Sequence, residues 1–255
     1  MSAEPSLIVE TPNQGVRRLT FNRPASMNAF DMDLFARLDA ELAAAHSDDD
    51  IRAIILAASG DRAFSAGFDI NEMADFDAAQ MREAFVQRDP VMRHIAEHRC
   101  PVIAAVDGVC YGAGALVALA CDMRLIGPSF RFRVTAATYG GANATWSLPA
   151  LVGPERAKEI LMTSRVVTAE EAIAIGLASR KVDAVALSGA ALELASAIAA
   201  NPPQGVAGIK ALVDASLSRS PAAGWQAEHG WMLASMETAP GGADVFDKFL
   251  TKKNG

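Results

Sequence analysis

The 255-residue chain is 51% hydrophobic, 21% charged and only 6% aromatic, the composition of a folded protein with many small aliphatics in its core, and this excludes disorder. Twenty-three Lys and Arg against 30 Asp and Glu give a net charge of −7 with no basic run, which argues against nucleic acid as a partner. An anionic ligand must therefore be held locally, by backbone N–H groups or a few placed cations.

Alternating apolar residues at Leu7-Ile8-Val9 and Val16 to Phe21, separated by Pro12-Asn13-Gln14-Gly15, predict a β-hairpin. Asp31 is placed to cap a helix through about His46, with Leu34, Leu38, Leu42 and Ala45 on one face. A buried strand at Arg52 to Ala57 is followed by a Gly-bearing loop, Ser59 to Asp69, and an amphipathic helix, Ala78 to Glu97. Then come a strand at Val102 to Val106, a helix from about Ala113 to Ala120 and a strand at Asp122 to Ile126. From Pro154 onward the pattern is mostly helical: Pro154 to Thr163, Thr168 to Ile175, Ala184 to Ala200, Pro203 to Leu217, Ala222 to Met236 and Ala243 to Leu250, with one short strand near Ala178 to Val182. An α/β core carrying a helical C-terminal part accounts for this order.

The opening residues MSAEPSLIVE have neither a basic nor an apolar signal region, so the chain is expected to be cytoplasmic and to start here. The most apolar stretch, Pro101 to Ala120, is interrupted by Asp107, Gly108, Gly112 and Gly114, and no membrane span is expected. Cys100, Cys110 and Cys121 are odd in number and lack C-x-x-C spacing, and the four His residues form no ligand pattern with them. Three reduced, buried thiols and no metal are the expectation.

Two Gly-bearing segments carry the chemistry: Ala63 to Ile70, after the third strand, and Gly108 to Leu116, after the fourth. Glycines at strand-to-helix junctions allow sharp turns and close approach, and the first N–H groups of the following helix have no intrahelical partner. Such groups suit an anion or a developing oxyanion, or else they mark tight packing of a helix on a sheet.

Phe64-Ser65-Ala66-Gly67-Phe68-Asp69-Ile70, followed by Pro101 to Gly108, Tyr111-Gly112-Ala113-Gly114 and Ala118 to Asp122, strongly resembles the enoyl-CoA hydratase/isomerase (crotonase) family. The resemblance covers almost the whole chain and includes Phe21 to Phe30, Leu148 to Gly153, Ala172 to Leu177 with Val182, and Phe249 to Lys253. It implies a spiral of ββα turns over residues 1–195 and a helical region, 196–255, used in trimerisation to a homotrimer or homohexamer. The implied ligand is an acyl-CoA thioester as substrate, with no separate cofactor. Backbone N–H groups of Phe68 and Ala113 would form the oxyanion hole. Backbone near Ala25, Met27, Ala29, Ala66, Asp69 and Ile70 would cradle CoA, with Lys252 or Lys253 on a phosphate or simply solvated.

The two glutamates used by the family's hydratases have no counterpart in this alignment. The first position is Leu116; the second is Ala136, or Arg133 in another register. Water addition needs a positioned acid and base, so two-glutamate hydration is not expected. Ala113 stands where the family usually has Gly, and its Cβ would crowd the thioester if φ there were positive. By resemblance to the family's 4-chlorobenzoyl-CoA dehalogenase, Asp89 occupies the place of a catalytic His and becomes the candidate acid or base; otherwise it is an exposed helix residue before Pro90. That enzyme's nucleophile position is Ala142 or Gly141 here, so dehalogenation is not expected. Glu72, Glu83, His94 and Tyr139 are weaker candidates, and Trp146 is expected to pack on the ligand pocket or core. Two functions follow: an acyl-CoA lyase or isomerase, or a catalytically silent CoA-ester-binding member or assembly subunit.

Overall fold

The computed structural model describes residues 5–237, the side chain of Asp89 excepted. Strands β1 (Leu7–Asn13) and β2 (Val16–Phe21) form the antiparallel hairpin, and helix α1 (Met32–Ser47) follows. Asp31 caps α1 by accepting from the Leu34 N–H at 2.8 Å, worth about 1 kcal/mol. Leu34, Leu38, Leu42 and Ala45 are buried as their spacing predicts, and Phe35 joins them.

The chain then repeats one unit three times. Strand β3 (Ala53–Ala58) leads to the short β4 (Ala63–Ser65) and helices α2 (Ile70–Ala74) and α3 (Ala78–Ala96). Strand β5 (Val102–Val106) leads to β6 (Val109–Tyr111) and α4 (Ala113–Ala120). Strand β7 (Met123–Ile126) leads to β8 (Arg131–Arg133), α5 (Leu148–Val152) and α6 (Pro154–Thr163). After these come β9 (Val167–Thr168), α7 (Ala169–Ala174), β10 (Arg180–Lys181), α8 (Leu187–Ala199), α9 (Pro203–Ser216) and α10 (Pro221–Glu237).

Each turn of this spiral gives one strand to each of two sheets. The six-stranded sheet has the order β1-β2-β3-β5-β7-β10, and the four-stranded sheet the order β4-β6-β8-β9. The β2-β3, β3-β5 and β5-β7 pairs are parallel, as crossover connections require. Because successive strand residues point to opposite faces, Ile54, Leu56, Val102 and Ala104 enter the larger core, whereas Ala53, Ile55, Ile103 and Ala105 enter a second core under α8. A sheet buried on both faces explains why β3 and β5 read as unbroken apolar runs.

The chain divides into two compact units, Met1–Val206 and Ala207–Gly255. Within the second, the Trp231 ring lies against Gly208, so close that a methyl group there would come within 2.2 Å of it. The expected helix Ala243 to Leu250 lies outside the described residues. Among the described residues no single helix is long and apolar enough to cross a membrane. The three cysteines are buried and none is in a disulfide. Burial pushes the Cys110 thiol far above its ordinary value, so it is held as an inert thiol.

Candidate active site

The two Gly-bearing segments lie side by side. Gly67 has φ +110° and Gly112 has φ +50° with ψ −120°, conformations that favour glycine. A methyl group on Gly67 would sit 3.2 Å from the Tyr111 carbonyl oxygen and 3.4 Å from the Ala113 nitrogen, so the two turns are in contact.

Phe68 pairs with Phe30 in a parallel bridge. The Phe30 N–H donates to the Gly67 carbonyl at 2.8 Å, and the Asp69 N–H donates to the Phe30 carbonyl at 2.9 Å. In a parallel ladder this uses the groups flanking Phe68 and turns its own N–H away from Phe30. Ala113 is the first residue of α4, where an N–H has no intrahelical acceptor. Among the described residues, neither the Phe68 nor the Ala113 amide donates a hydrogen bond. The positive φ falls on Gly112 and not on Ala113, so the alanine Cβ is accommodated in ordinary helical geometry.

The segment Arg23 to Phe30 is tied to the first turn. The Ala66 N–H donates to the Met27 carbonyl at 3.0 Å, and Met27 itself is left-handed with φ +52°. Asn28 is buried and donates to the Ser59 and Ala63 carbonyls at 2.9 and 2.8 Å. Arg23 donates to the Ala29 carbonyl and bridges Asp31 and Asp69, each at 2.9 Å. Burial pushes the Asp69 carboxyl up, but Arg23 and the Asn71 N–H outweigh it and hold it below the ordinary range. The segments bearing Ala25, Met27 and Ala29, and Ala66, Asp69 and Ile70, are thereby held together; Ala25 and Ile70 are exposed. Lys252 and Lys253 lie outside the described residues.

Leu116 lies on α4, half-buried against the large core, and its N–H donates to the Gly112 carbonyl at 3.1 Å. Ala136 is buried at the start of a short 3₁₀ turn, and the Arg133 guanidinium donates to the Ser164 carbonyl at 2.6 Å. Asp89 falls within α3, which continues through Pro90; its side chain lies outside the described residues. Glu72 accepts from the Met32 N–H at 3.2 Å and lies 3.5 Å from the Arg88 guanidinium. Glu83 accepts from Gln87, and His94 is paired with Asp39 at 2.5 Å. Trp146, expected to pack on the pocket or core, is instead 62% exposed, and Tyr139 is 79% exposed. Both lie in the connection between β8 and α5, outside the strands and α-helices, Tyr139 at the end of the 3₁₀ turn that Ala136 opens.

Two polar residues beside the site went unread in the sequence. Thr135 brings its hydroxyl to 3.4 Å from where a Cβ on Gly112 would be. Arg88 is 1% exposed and lies over the Phe68 ring, its guanidinium carbon 4.4 Å from the ring centroid. Helical spacing held the signal for Arg88: Ala84, Arg88, Val91 and Ile95 share the buried face of α3, and a charged residue in that stripe needs a reason.

The sequence profile of the enoyl-CoA hydratase/isomerase family matches residues 11–246, and the chain belongs to that family. The chain is 33% identical over 191 residues to a short-chain-enoyl-CoA hydratase of Clostridium acetobutylicum, covering 74% of this chain and 73% of that one. It is 32% identical to a 1,2-epoxyphenylacetyl-CoA isomerase of Escherichia coli, covering 82% of each. The crystal structure of an enoyl-CoA hydratase from Bacillus anthracis superposes with a TM-score of 0.90 at 29% identity, covering 98% of this chain and 96% of that one. The fold is the crotonase fold, as the Gly-bearing segments implied.

Proposed function

We propose that this chain is an acyl-CoA lyase or isomerase that holds a thioester carbonyl between the Phe68 and Ala113 amides and stabilises the enolate formed from it. The observation that carries this is the pair of amides without acceptors on two touching turns. Backbone donors fixed before the reaction stabilise charge as it develops on the carbonyl oxygen, without reorganisation in the transition state. Removing an α proton, or adding a nucleophile at the β carbon, sends an electron pair onto that oxygen in either case. The same hole therefore serves isomerisation and addition or elimination chemistry, and the relatives' names span both.

CoA is assigned to the backbone of Ala25, Met27, Ala29, Ala66, Asp69 and Ile70, with Lys252 or Lys253 at a phosphate. Leu116 and Ala136 or Arg133 take the positions of the two hydratase glutamates, so crotonyl-CoA hydration is slow and Asp89 is the acid or base in their place. The working enzyme is a cytoplasmic homotrimer or homohexamer of the fatty acid metabolism type. One observation favours the second function, a silent CoA-ester binder: the carboxylates of Asp69 and Glu72, which follow Phe68 in the chain, are engaged by Arg23, Arg88 and backbone N–H groups.

Calorimetric titration with crotonyl-CoA, together with amide hydrogen exchange, tests the proposal. Binding accompanied by slowed exchange at Phe68 and Ala113 is expected. An absence of CoA-ester binding at millimolar ligand would overturn it, and binding without turnover of any enoyl- or acyl-CoA would leave only the silent binder.

A further inference from the structure

Among the described residues Arg88 is the largest fully buried side chain, and its hydrogen bonding is poor. Its Nε donates to the thioether of Met32 at 3.2 Å and one terminal nitrogen to that of Met73 at 3.5 Å. The other terminal nitrogen has no hydrogen-bond partner, only the Glu72 carboxylate at 3.5 Å. Thioethers are weak acceptors, and a guanidinium carries five N–H donors. An arginine kept for stability would be better satisfied, as Arg124 is by the Leu177, Ala118 and Cys121 carbonyls.

The guanidinium has instead two aromatic neighbours. Its carbon lies 4.4 Å from the centroid of Phe68 and 5.7 Å from that of Phe35, and the Phe35 and Phe68 rings are 5.6 Å apart. A desolvated cation over a ring attracts it by up to about 2 kcal/mol. Phe68 also packs edge-on against Phe85 at 5.8 Å. Phe68 is thus fixed through its backbone by Phe30 and through its side chain by Arg88.

We infer that Arg88 is a positioning residue for the reaction: it holds Phe68 so that its amide stays aimed at the thioester oxygen, and its buried charge favours the enolate. The inference rests on the proposed role of the Phe68 and Ala113 amides. Burial pulls the guanidinium pKa below its ordinary value while Glu72 and Asp31 oppose this, and an arginine stays protonated regardless. The Glu72 side chain is 30% exposed and that of Arg88 1%, so solvent screens the anion more than the cation.

Acetoacetyl-CoA is the probe, because loss of its central proton to solvent leaves an enolate with its own ultraviolet absorption. Titrating pH with the probe bound gives an apparent pKa for enolate formation that does not depend on turnover. With wild-type protein, that pKa is expected to lie below the value for free acetoacetyl-CoA. Arg88→Met keeps the side-chain bulk and removes the charge; it is expected to raise the bound pKa by about one unit, with Kd for CoA within about twofold. Arg88→Lys, which keeps the charge and loses the planar stack, is expected to lie between the two. An unshifted pKa in Arg88→Met overturns the inference while leaving the amide role intact. An unshifted pKa in the wild type, with the probe bound, overturns the amide role and this inference together. Should Arg88→Met fail to fold, Phe68→Leu removes the ring the cation rests on and keeps the amide. It is expected to raise the bound pKa as well, and an unchanged value there overturns the inference.

Discussion

A methyl group placed on Gly67 would stop 3.4 Å from the Ala113 nitrogen, so two residues 46 positions apart meet without a side chain between them. That contact needs a left-handed backbone at Gly67 and Gly112. Gly112→Ala introduces about 1–2 kcal/mol of backbone strain. The strain is relieved by shifting the adjoining Ala113 amide, and a displacement near 1 Å can cost about a hundredfold in rate. Gly112→Ala is therefore expected to lower kcat by more than about tenfold with a smaller change in CoA affinity. Ala113→Gly, at a position without positive φ, is expected to stay within about threefold of wild type, within the small cost of added backbone freedom. Steady-state kinetics with the same enoyl-CoA decide both.

The Thr135 hydroxyl beside Gly112 is the polar side chain placed next to the second turn. Thr135→Val keeps its shape and removes the hydroxyl. We expect kcat to fall about tenfold, the size of a contribution from one positioned hydrogen bond to a charged group. Wild-type kcat in this variant would reduce Thr135 to a packing role.

Asp89→Asn tests the proposed acid or base. A loss of about a hundredfold in kcat, with the corresponding limb of the pH–rate profile removed, is expected of a proton-transfer group. An unaltered profile, or robust crotonyl-CoA hydration insensitive to this change, would move the assignment elsewhere.

Acid stability reports on Asp69 and its pairing with Arg23. Asp69 is held below the ordinary carboxylate value, so its charged form contributes stability that is fully present above the unfolded value of about 4. That contribution is lost as the pH falls through the depressed folded value. Asp69→Asn is expected to weaken the protein at neutral pH and to flatten the fall in Tm below about pH 4. A wild-type acid limb in the variant would mean that other carboxylates govern it.

Arg124 is the buried cation with good partners: it donates to the Leu177 and Cys121 carbonyls at 2.7 Å each and to that of Ala118 at 3.1 Å. It closes the C-terminal end of α4, at the opposite end from Ala113. Arg124→Met leaves these carbonyls without their donor and is expected to cost about 3 kcal/mol, read by urea denaturation.

Much of the fold was legible because its long elements obey simple periods. The stripe Leu34, Leu38, Leu42 and Ala45, the cap at Asp31 and the bounds Val102 to Val106 and Pro154 to Thr163 all read directly from the chain. The four-stranded sheet did not: β4, β6 and β8 have three residues each and β9 two, too few to display an alternation. The meeting of the two turns was legible only through family resemblance, since their register depends on that sheet. Thr135 and Arg88 were hidden for different reasons. The hydroxyl becomes relevant only where the third turn of the spiral passes Gly112, whereas Arg88 sits in the buried stripe of α3 among Ala84, Val91 and Ile95 and meets Phe68 only through the tertiary fold.

The proposed hole between the turns is written in main chain. Only proline at Phe68 or Ala113 deletes the N–H itself, and a side chain such as the Phe68 ring only refines its aim. Ordinary point substitution can thus exchange the acids, bases and acyl-pocket walls around the carbonyl while its holder stays intact. On that proposal, in a lineage of such chains the step after enolate formation is free to diverge, whereas the step that forms it is inherited with the fold.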